Sequence, residues 1–451
     1  MVSLNYYYLA RNILKRGRRK NIPLLLVSLF LIAGHFAVEY SNARNIYGDV
    51  QNADWQAVNS WILSSSCSAD TGAFLVSCQS DGSLAPYEDI SLADDIGHAL
   101  ALNLYSAFTG IEAEFYQAAR VNVLLNFVSA GILAMLLYFS LGAFSAFVFS
   151  AFVPFAYASL IYLSPHPALT GVASLSVAAV IIPLLWLGKC DRFLPFFSIT
   201  VSVFVLVGTA AVFRTAIAYY VLAASALVWS LVVIKSGTKK NIFRNLICAG
   251  AVLTSIIAAL SVPNGVRSLR DQLFNVRPAA MNAGHGISHN LYIGVGDVEN
   301  SFGVEWSDTY GYNVVKEVAP GVAYASPAYF QVLWSEYWEL WNDDPWEMIS
   351  VYLRKAFKMF SGTVYDRIPV GLISLSVVLS GVLVALSFLR HGHGLSPKRS
   401  IVLCSGALTA AFFAQGILAN TSMFYFSATF PIVLIGVIAI ISSIIKPSTQ
   451  E

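Results

Sequence analysis

Ten runs of roughly 17 to 23 apolar residues divide the chain, starting near Ile22, Val121, Ala143, Ala168, Phe193, Ala216, Leu246, Val370, Ile401 and Met423. Each has the length that carries an α-helix across a hydrocarbon layer about 30 Å thick. The pattern predicts an all-α polytopic membrane protein with about ten transmembrane helices and two large polar loops carrying surface helices. A basic arm (1–21) precedes the first span (22–38). A first loop (39–120) leads to a six-helix block (121–262), and a second loop (263–368) to three C-terminal spans and a short tail (369–451).

Apolar periodicity within the polar stretches predicts further helices. Val50 to Leu63, with Trp55, Val58, Trp61 and Ile62, reads as an amphipathic helix, and Ser64 to Pro86 as a polar lobe with a turn at Asp81-Gly82. His98 to Phe108 is apolar and helical in pattern but too short to cross a bilayer, so it is expected to lie on one. From Ala328 to Phe360 the helical pattern is rich in Trp334, Tyr337, Trp338, Trp341, Trp346 and Tyr352. Asp344-Pro345 breaks it in two. The tryptophans read as an interfacial belt, with sugar stacking as the other role, and Arg354, Lys355 and Lys358 as facing a membrane surface.

Composition sharpens the class. The chain is 57% hydrophobic and 12% charged, more apolar than a soluble protein of 451 residues needs. Net charge is +2 and no nucleic-acid motif is present, so no nucleic-acid partner is expected. The distribution of charge sets the orientation. Of 27 basic residues, 16 fall in the N-terminal arm, the tail and the short loops on one side, while all 25 acids except Asp191 and Glu451 lie in the two long loops. The positive-inside rule then puts both termini in the cytoplasm and both long loops outside a plasma (inner) membrane. Cys67 and Cys78, in the first outer loop, are expected to be bridged. Cys190, Cys248 and Cys404 read as small apolar fillers.

The candidate chemistry sits in the long loops and at the outer turns. Asp94 and Asp95 directly precede the His98–Phe108 run. One reading is a general base toward a lipid-borne substrate, the other a helix N-cap. Adjacent residues face different ways on a helix, so one base and one cap are expected, with Asp49 as the rival acid. Arg214, between Phe213 and Thr215 at the end of a span, is costly there unless it faces a cavity; it binds a phosphate or snorkels to the interface. Arg277, with Arg267 and Arg270, is either a substrate contact or ordinary loop charge. His166, fixed between Pro165 and Pro167, is a candidate substrate contact. His285 and His289, with Tyr292 in the same run, are candidate substrate contacts. The histidine spacing would also suit a metal shared with Asp94 or Asp95, but Gly284 and Gly286 argue against a helix there. No metal is assigned, and a divalent ion stays open as a cofactor. The G-V-G of residues 294–296 lacks the context of a nucleotide loop.

The layout resembles the GT-C glycosyltransferases, which include the protein O-mannosyltransferases and the aminoarabinose transferases of lipid A. The resemblance rests on the order of elements over nearly the whole chain, on the A-D-D-x-G of Ala93 to Gly97, and on the D-P-W-E-M-I-S-V-Y-L-R-K of Asp344 to Lys355. It implies transfer of a sugar from a polyprenyl-phosphate carrier to a lipid, glycan or protein acceptor at the outer face. An Asp would serve as base in a single inverting displacement. The alternatives are an O-antigen polymerase or ligase, working through loop arginines on polyprenyl-diphosphate chains, and a transporter or flippase of a lipid-linked substrate. On the transferase reading Asp94 or Asp95, Asp94 by preference, is expected within roughly 10 Å of the Arg214 guanidinium.

The orientation is open to direct test. Cysteines placed at Ser83 and Asn300 should react with a membrane-impermeant thiol reagent applied from outside, and one at Ser236 should not. Outside labelling at Ser236 overturns the topology.

Overall fold

The computed structural model describes residues 21–47, 56–90, 95–162, 172–185, 193–235, 238–278, 286–361, 370–391, 396–421 and 429–444. All ten apolar runs contain helix. Among the described residues, seven of these helices are long and apolar enough to cross a membrane. They lie within α1 (Ile22–Tyr47), α4 (Phe115–Leu141), α7 (Phe193–Phe213), α8 (Thr215–Ile234), α9 (Lys239–Ala259), α15 (Val370–His391) and α16 (Pro397–Leu418). Apolar helices α5 (Ala143–Tyr162), α6 (Val172–Leu185) and α17 (Phe430–Ile444) occupy the other three places. The protein is thus a predominantly helical, polytopic membrane protein. α1 packs on α4 and α5, α16 on α15 and α17, and α7 on α6 and α9. Their buried faces share one apolar cluster, from Phe36 on α1 through Leu133, Phe149 and Trp229 to Ile435 on α17.

The first span is longer than its hydropathy suggests. α1 continues to Tyr47 and carries Glu39 buried on its packed face with Ile32, Phe36 and Ala43. Arg120 of α4 anchors this extension, stacking on the Tyr40 ring 4.4 Å from its centroid and donating to the Tyr40 carbonyl at 3.1 Å.

Two lobes are built outside the bundle. The first comprises α2 (Gln56–Thr71), a hairpin of β1 (Val76–Cys78) and β2 (Leu84–Pro86), and α3 (Ile96–Thr109). The expected polar lobe from Ser64 onward is partly helical: α2 runs to Thr71. Its hydroxyls are satisfied locally, Ser65 by Ile62 O, Ser68 by Ser64 O and Thr71 by Cys67 O, so a serine-rich sequence continues a helix instead of breaking it. The expected disulfide joins Cys67 to Cys78, with Cα atoms 5.4 Å apart. Asp81-Gly82 forms the hairpin turn, with Gly82 at φ +81°. Leu75 takes φ +54°, a strained value for a branched side chain. It is held from both sides: its N–H donates to Asn103 Oδ1 at 2.7 Å and its carbonyl accepts from Tyr87 N at 3.0 Å.

The second lobe comprises α10 (Val262–Phe274), α11 (Ile287–Gly294), α12 (Asp308–Val318), α13 (Pro327–Asp343) and α14 (Pro345–Ser361). α13 and α14 meet at Asp344-Pro345, as the sequence predicts, and Asp344 caps α14 by accepting from Trp346 and Glu347 N–H groups. The G-V-G run serves packing. A Cβ on Gly294 would come within 2.7 Å of the Ala419 carbonyl, and one on Gly296 within 2.3 Å of the Glu305 backbone.

A buried ion cluster joins the lobes. Glu88 accepts from Arg267 Nε at 2.7 Å and from Arg270, whose guanidinium also donates to the Leu75 carbonyl at 3.0 Å and to Asp271 at 2.8 Å. Glu88 and Arg270 are both buried, so removing one partner strands the other's charge. Arg270→Met should therefore lower stability by on the order of 3 kcal/mol, and adding Glu88→Leu should recover part of the loss. Thermal melts of the purified protein measure both; an unshifted Arg270→Met melt contradicts the clamp.

Candidate functional site

The site starts from a break in the membrane bundle. α7 ends at Phe213, α8 begins at Thr215, and Arg214 between them is extended at φ −157° and ψ 98°. The first N–H groups of α8 lack intrahelical acceptors. Asp95 supplies one. Its Oδ1 accepts from Thr215 N at 3.1 Å and from Thr215 Oγ1 at 2.7 Å, and its Oδ2 pairs with Arg214 at 3.3 Å. The negative carboxylate also suits the positive end of the α8 dipole. The expected division of labour changes in one respect. Asp95 stands at the N-cap position of α3 but makes no capping bond to it; its side chain caps α8 of the bundle.

Close backbone approach makes this reach possible. A Cβ on Gly97 would lie 2.6 Å from the Phe213 ring and 2.7 Å from Phe213 Cα. The glycine of A-D-D-x-G therefore lets the first turn of α3 rest on the last turn of α7. His98 completes the contact, stacked on Trp61 with centroids 4.6 Å apart and edge-on to Phe213 at 5.2 Å. Arg214 keeps 27% of its side chain exposed and Asp95 15%, so the pair sits at a surface without being freely solvated.

The other predicted residues distribute differently. Asp94, His166, His285 and the rival Asp49 lie outside the described residues. Arg277 does not join Arg214; it pairs with Asp89 at 2.7 Å. Arg267 and Arg270, with Arg277, are held by carboxylates of the first lobe because α10 packs beside the hairpin and its following turn. His289 and Tyr292 belong to the interior of the second lobe. His289 is buried, with Nε2 2.9 Å from Asp308 Oδ1 and Nδ1 2.9 Å from the Tyr329 hydroxyl. Burial pushes the Tyr329 hydroxyl well above its ordinary range, so it stays protonated, and both ring nitrogens of His289 are engaged. Tyr292 stacks on Tyr310, and burial raises its hydroxyl likewise. Among the described residues, no group of three or more His, Cys, Asp or Glu side chains comes together as a metal site.

Lys355 is the largest departure. It was expected at a membrane surface with Arg354 and Lys358, yet it is fully buried on the inward stripe of α14 with Met348, Val351 and Met359. That spacing was visible in the sequence, but the charge argued against burial. The ammonium is held by the Gly294 carbonyl at 2.7 Å and the Ala419 carbonyl at 2.8 Å, each at the C-terminal end of a helix, where a cation is favoured. Asp297 pins the same corner, accepting from Thr421 N at 2.8 Å and Thr421 Oγ1 at 2.6 Å, with Lys358 at 3.4 Å. This repeats the Asp95–Thr215 arrangement at a second end of the bundle. Neither Asp297 nor Thr421 carries a recognisable motif. An open hollow beside it is lined by Asp297, Glu299, Asn300, Glu305 and Trp306. A void of about 10 Å³ lies among α6, α7, α8 and α9. Neither is lined by Asp95 or Arg214.

Burial pushes the Lys355 ammonium down to about 8, against about 10.4 in an unfolded chain. Between those values the unfolded chain holds the proton and the native protein releases it, so stability rises with pH across that window. Below about 8 both states are protonated and this slope vanishes. Melting midpoints of wild type and Lys355→Met should therefore diverge in slope only above about pH 8, where wild type alone gains. Parallel curves from pH 7 to 10 contradict the burial of this charge.

Comparison with known proteins returns no match: no family model, no curated relative and no solved structure aligns with the chain.

Proposed function

We propose that the protein is a GT-C-type membrane glycosyltransferase that takes a sugar from a polyprenyl-phosphate carrier and passes it to a lipid, glycan or protein acceptor at the outer face. The observation that carries this reading is the half-buried Asp95–Arg214 pair, where α3 of the first lobe meets the α7–α8 break. Arg214 is the residue for the carrier phosphate: a guanidinium matches a phosphate bidentately, and its attraction strengthens where water is scarce. Asp95, engaged by Thr215 and Arg214, is the positioning residue that orients the guanidinium. Asp94, the acid immediately before it in the chain, is the candidate base that takes the acceptor hydroxyl proton while the sugar–phosphate bond breaks. No metal is required by these roles.

The ligase reading loses its main support, since Arg267, Arg270 and Arg277 are already engaged by Glu88, Asp271 and Asp89. The transporter reading has one observation in its favour. Asn126 of α4 is fully buried, and neither of its amide atoms has a hydrogen-bond partner among the described residues. An unpartnered polar group inside a membrane bundle is costly, which makes it a candidate for a substrate path.

Turnover of polyprenyl-phosphate sugars in nanodiscs tests the proposal. Asp94→Asn should fall about a hundredfold or more while carrier binding survives. Arg214→Lys keeps the charge but loses the planar fork, so carrier affinity should weaken about tenfold. Asp95→Asn should weaken carrier binding in the same direction. Normal turnover in all three variants sinks the transferase reading; carrier movement across sealed vesicles without sugar transfer replaces it with transport.

A further inference from the structure

The exposed aromatic residues of α13 and α14 fall into two sets with different neighbours. On α14, Trp346, Ile349, Leu353 and Phe357 form one outward stripe, with Trp346 78% and Phe357 75% exposed. Its members are all apolar, as a lipid-facing surface requires. On α13, Trp334 and Trp338 are 44% and 47% exposed, one helical turn apart. Of the positions at i±3 and i±4 from these two, the exposed ones are Gln331, Ser335 and Asn342, while Phe330, Tyr337 and Trp341 are turned inward to differing degrees. That face pairs large indole surfaces with amide and hydroxyl groups, and no aliphatic side chain lies among them.

The two indoles are also preorganised. Their rings meet at 81° with centroids 5.8 Å apart, forming a corner with a floor and a wall. Tyr337 backs both, lying near-parallel to Trp334 at 6.2 Å and edge-on to Trp338 at 5.6 Å. Tyr337 is itself buried and fixed by a 2.7 Å hydrogen bond to the Tyr352 hydroxyl. α13 contains Glu336, Glu339 and Asp343 and no Lys, Arg or His. An anionic headgroup or phosphate would meet only like charge there, so the face does not suit an anionic lipid surface.

We propose that the Trp334–Trp338 corner is a binding platform for a neutral saccharide. Sugar rings present apolar C–H faces that cover an indole, and equatorial hydroxyls that Gln331, Ser335 and Asn342 can bond at the edge of the ring. The saccharide's role as the acceptor glycan rests on the transferase reading above; its binding does not, and the two are tested apart.

The test uses the full-length protein in nanodiscs and saturation-transfer NMR with three soluble hexasaccharides, of glucose, mannose and N-acetylglucosamine. At least one should receive saturation at its ring protons. Trp338→Ala and Trp334→Ala should each weaken that binding about tenfold or more, a loss of one stacking surface. Trp338→Phe, which keeps a ring, should stay within about threefold of wild type, separating lost stacking from lost folding. Trp346→Ala should bind as wild type does. Saturation of none of the three sugars, or binding indifferent to both alanine variants, overturns the platform. So does quenching of α13 tryptophan fluorescence by brominated lipids that disappears in the Trp334→Ala/Trp338→Ala variant, since it would put this face in the bilayer. Saccharide binding without any sugar transfer leaves the platform standing and removes the transferase reading instead.

Discussion

An interrupted membrane helix exposes backbone donors where water is scarce, and satisfying them is the constraint on which the two lobes depend. Asp95 meets it at the α7–α8 break by taking the Thr215 N–H and hydroxyl. After α16, Asp297 takes the same two groups of Thr421, beyond the C-terminal end of that helix. In each case a carboxylate carried by a lobe takes a backbone N–H of the bundle segment it meets, and at α8 it does what water would do for a soluble helix end. A cation closes each arrangement, Arg214 on the first and Lys358 on the second. The lobes are therefore registered to the bundle by hydrogen bonds of defined geometry as well as by apolar contact.

Such registration needs backbones to come close, and glycine supplies the room. Gly97 lets α3 lie on Phe213, Gly294 lets α11 end against Leu418 and Ala419, and Gly371 lets α15 begin against the Met359 and Phe360 carbonyls. The carbonyls brought together at the second corner would repel one another. Lys355 resolves this by donating to Gly294 and Ala419 at once, which accounts for a lysine at a core position of an amphipathic helix.

The basic residues of the second lobe divide by what already neutralises them. Arg267 and Arg270 compensate the buried Glu88, and Arg277 meets Asp89. These pairs tie one lobe to the other, and breaking any would leave a buried or half-buried charge. Arg214 differs in place and context. It stands between two membrane helices, on the side where α3 docks, and it is the cation on which the proposed lipid-phosphate site rests.

Hydrophobic run length alone determined the ten apolar helices, since a helix that crosses lipid must be apolar along its whole length. Local chemistry also announced the α13–α14 break at Asp344-Pro345, the Asp81-Gly82 turn and the α3 helix. The Cys67–Cys78 bridge followed from spacing and compartment. Tertiary structure decided the rest, because it concerned which partner each polar group meets. Nothing local distinguishes Asp95 capping its own helix from Asp95 capping α8, or Arg277 binding substrate from Arg277 binding Asp89. Serines after Ser64 resembled a loop until their hydroxyls found helix carbonyls, and Lys355 resembled a surface charge until two helix ends converged on it. Periodicity reports which face of a helix is buried; the partners of a buried charge are set by elements far apart in the chain, and only the folded protein brings them within hydrogen-bonding distance.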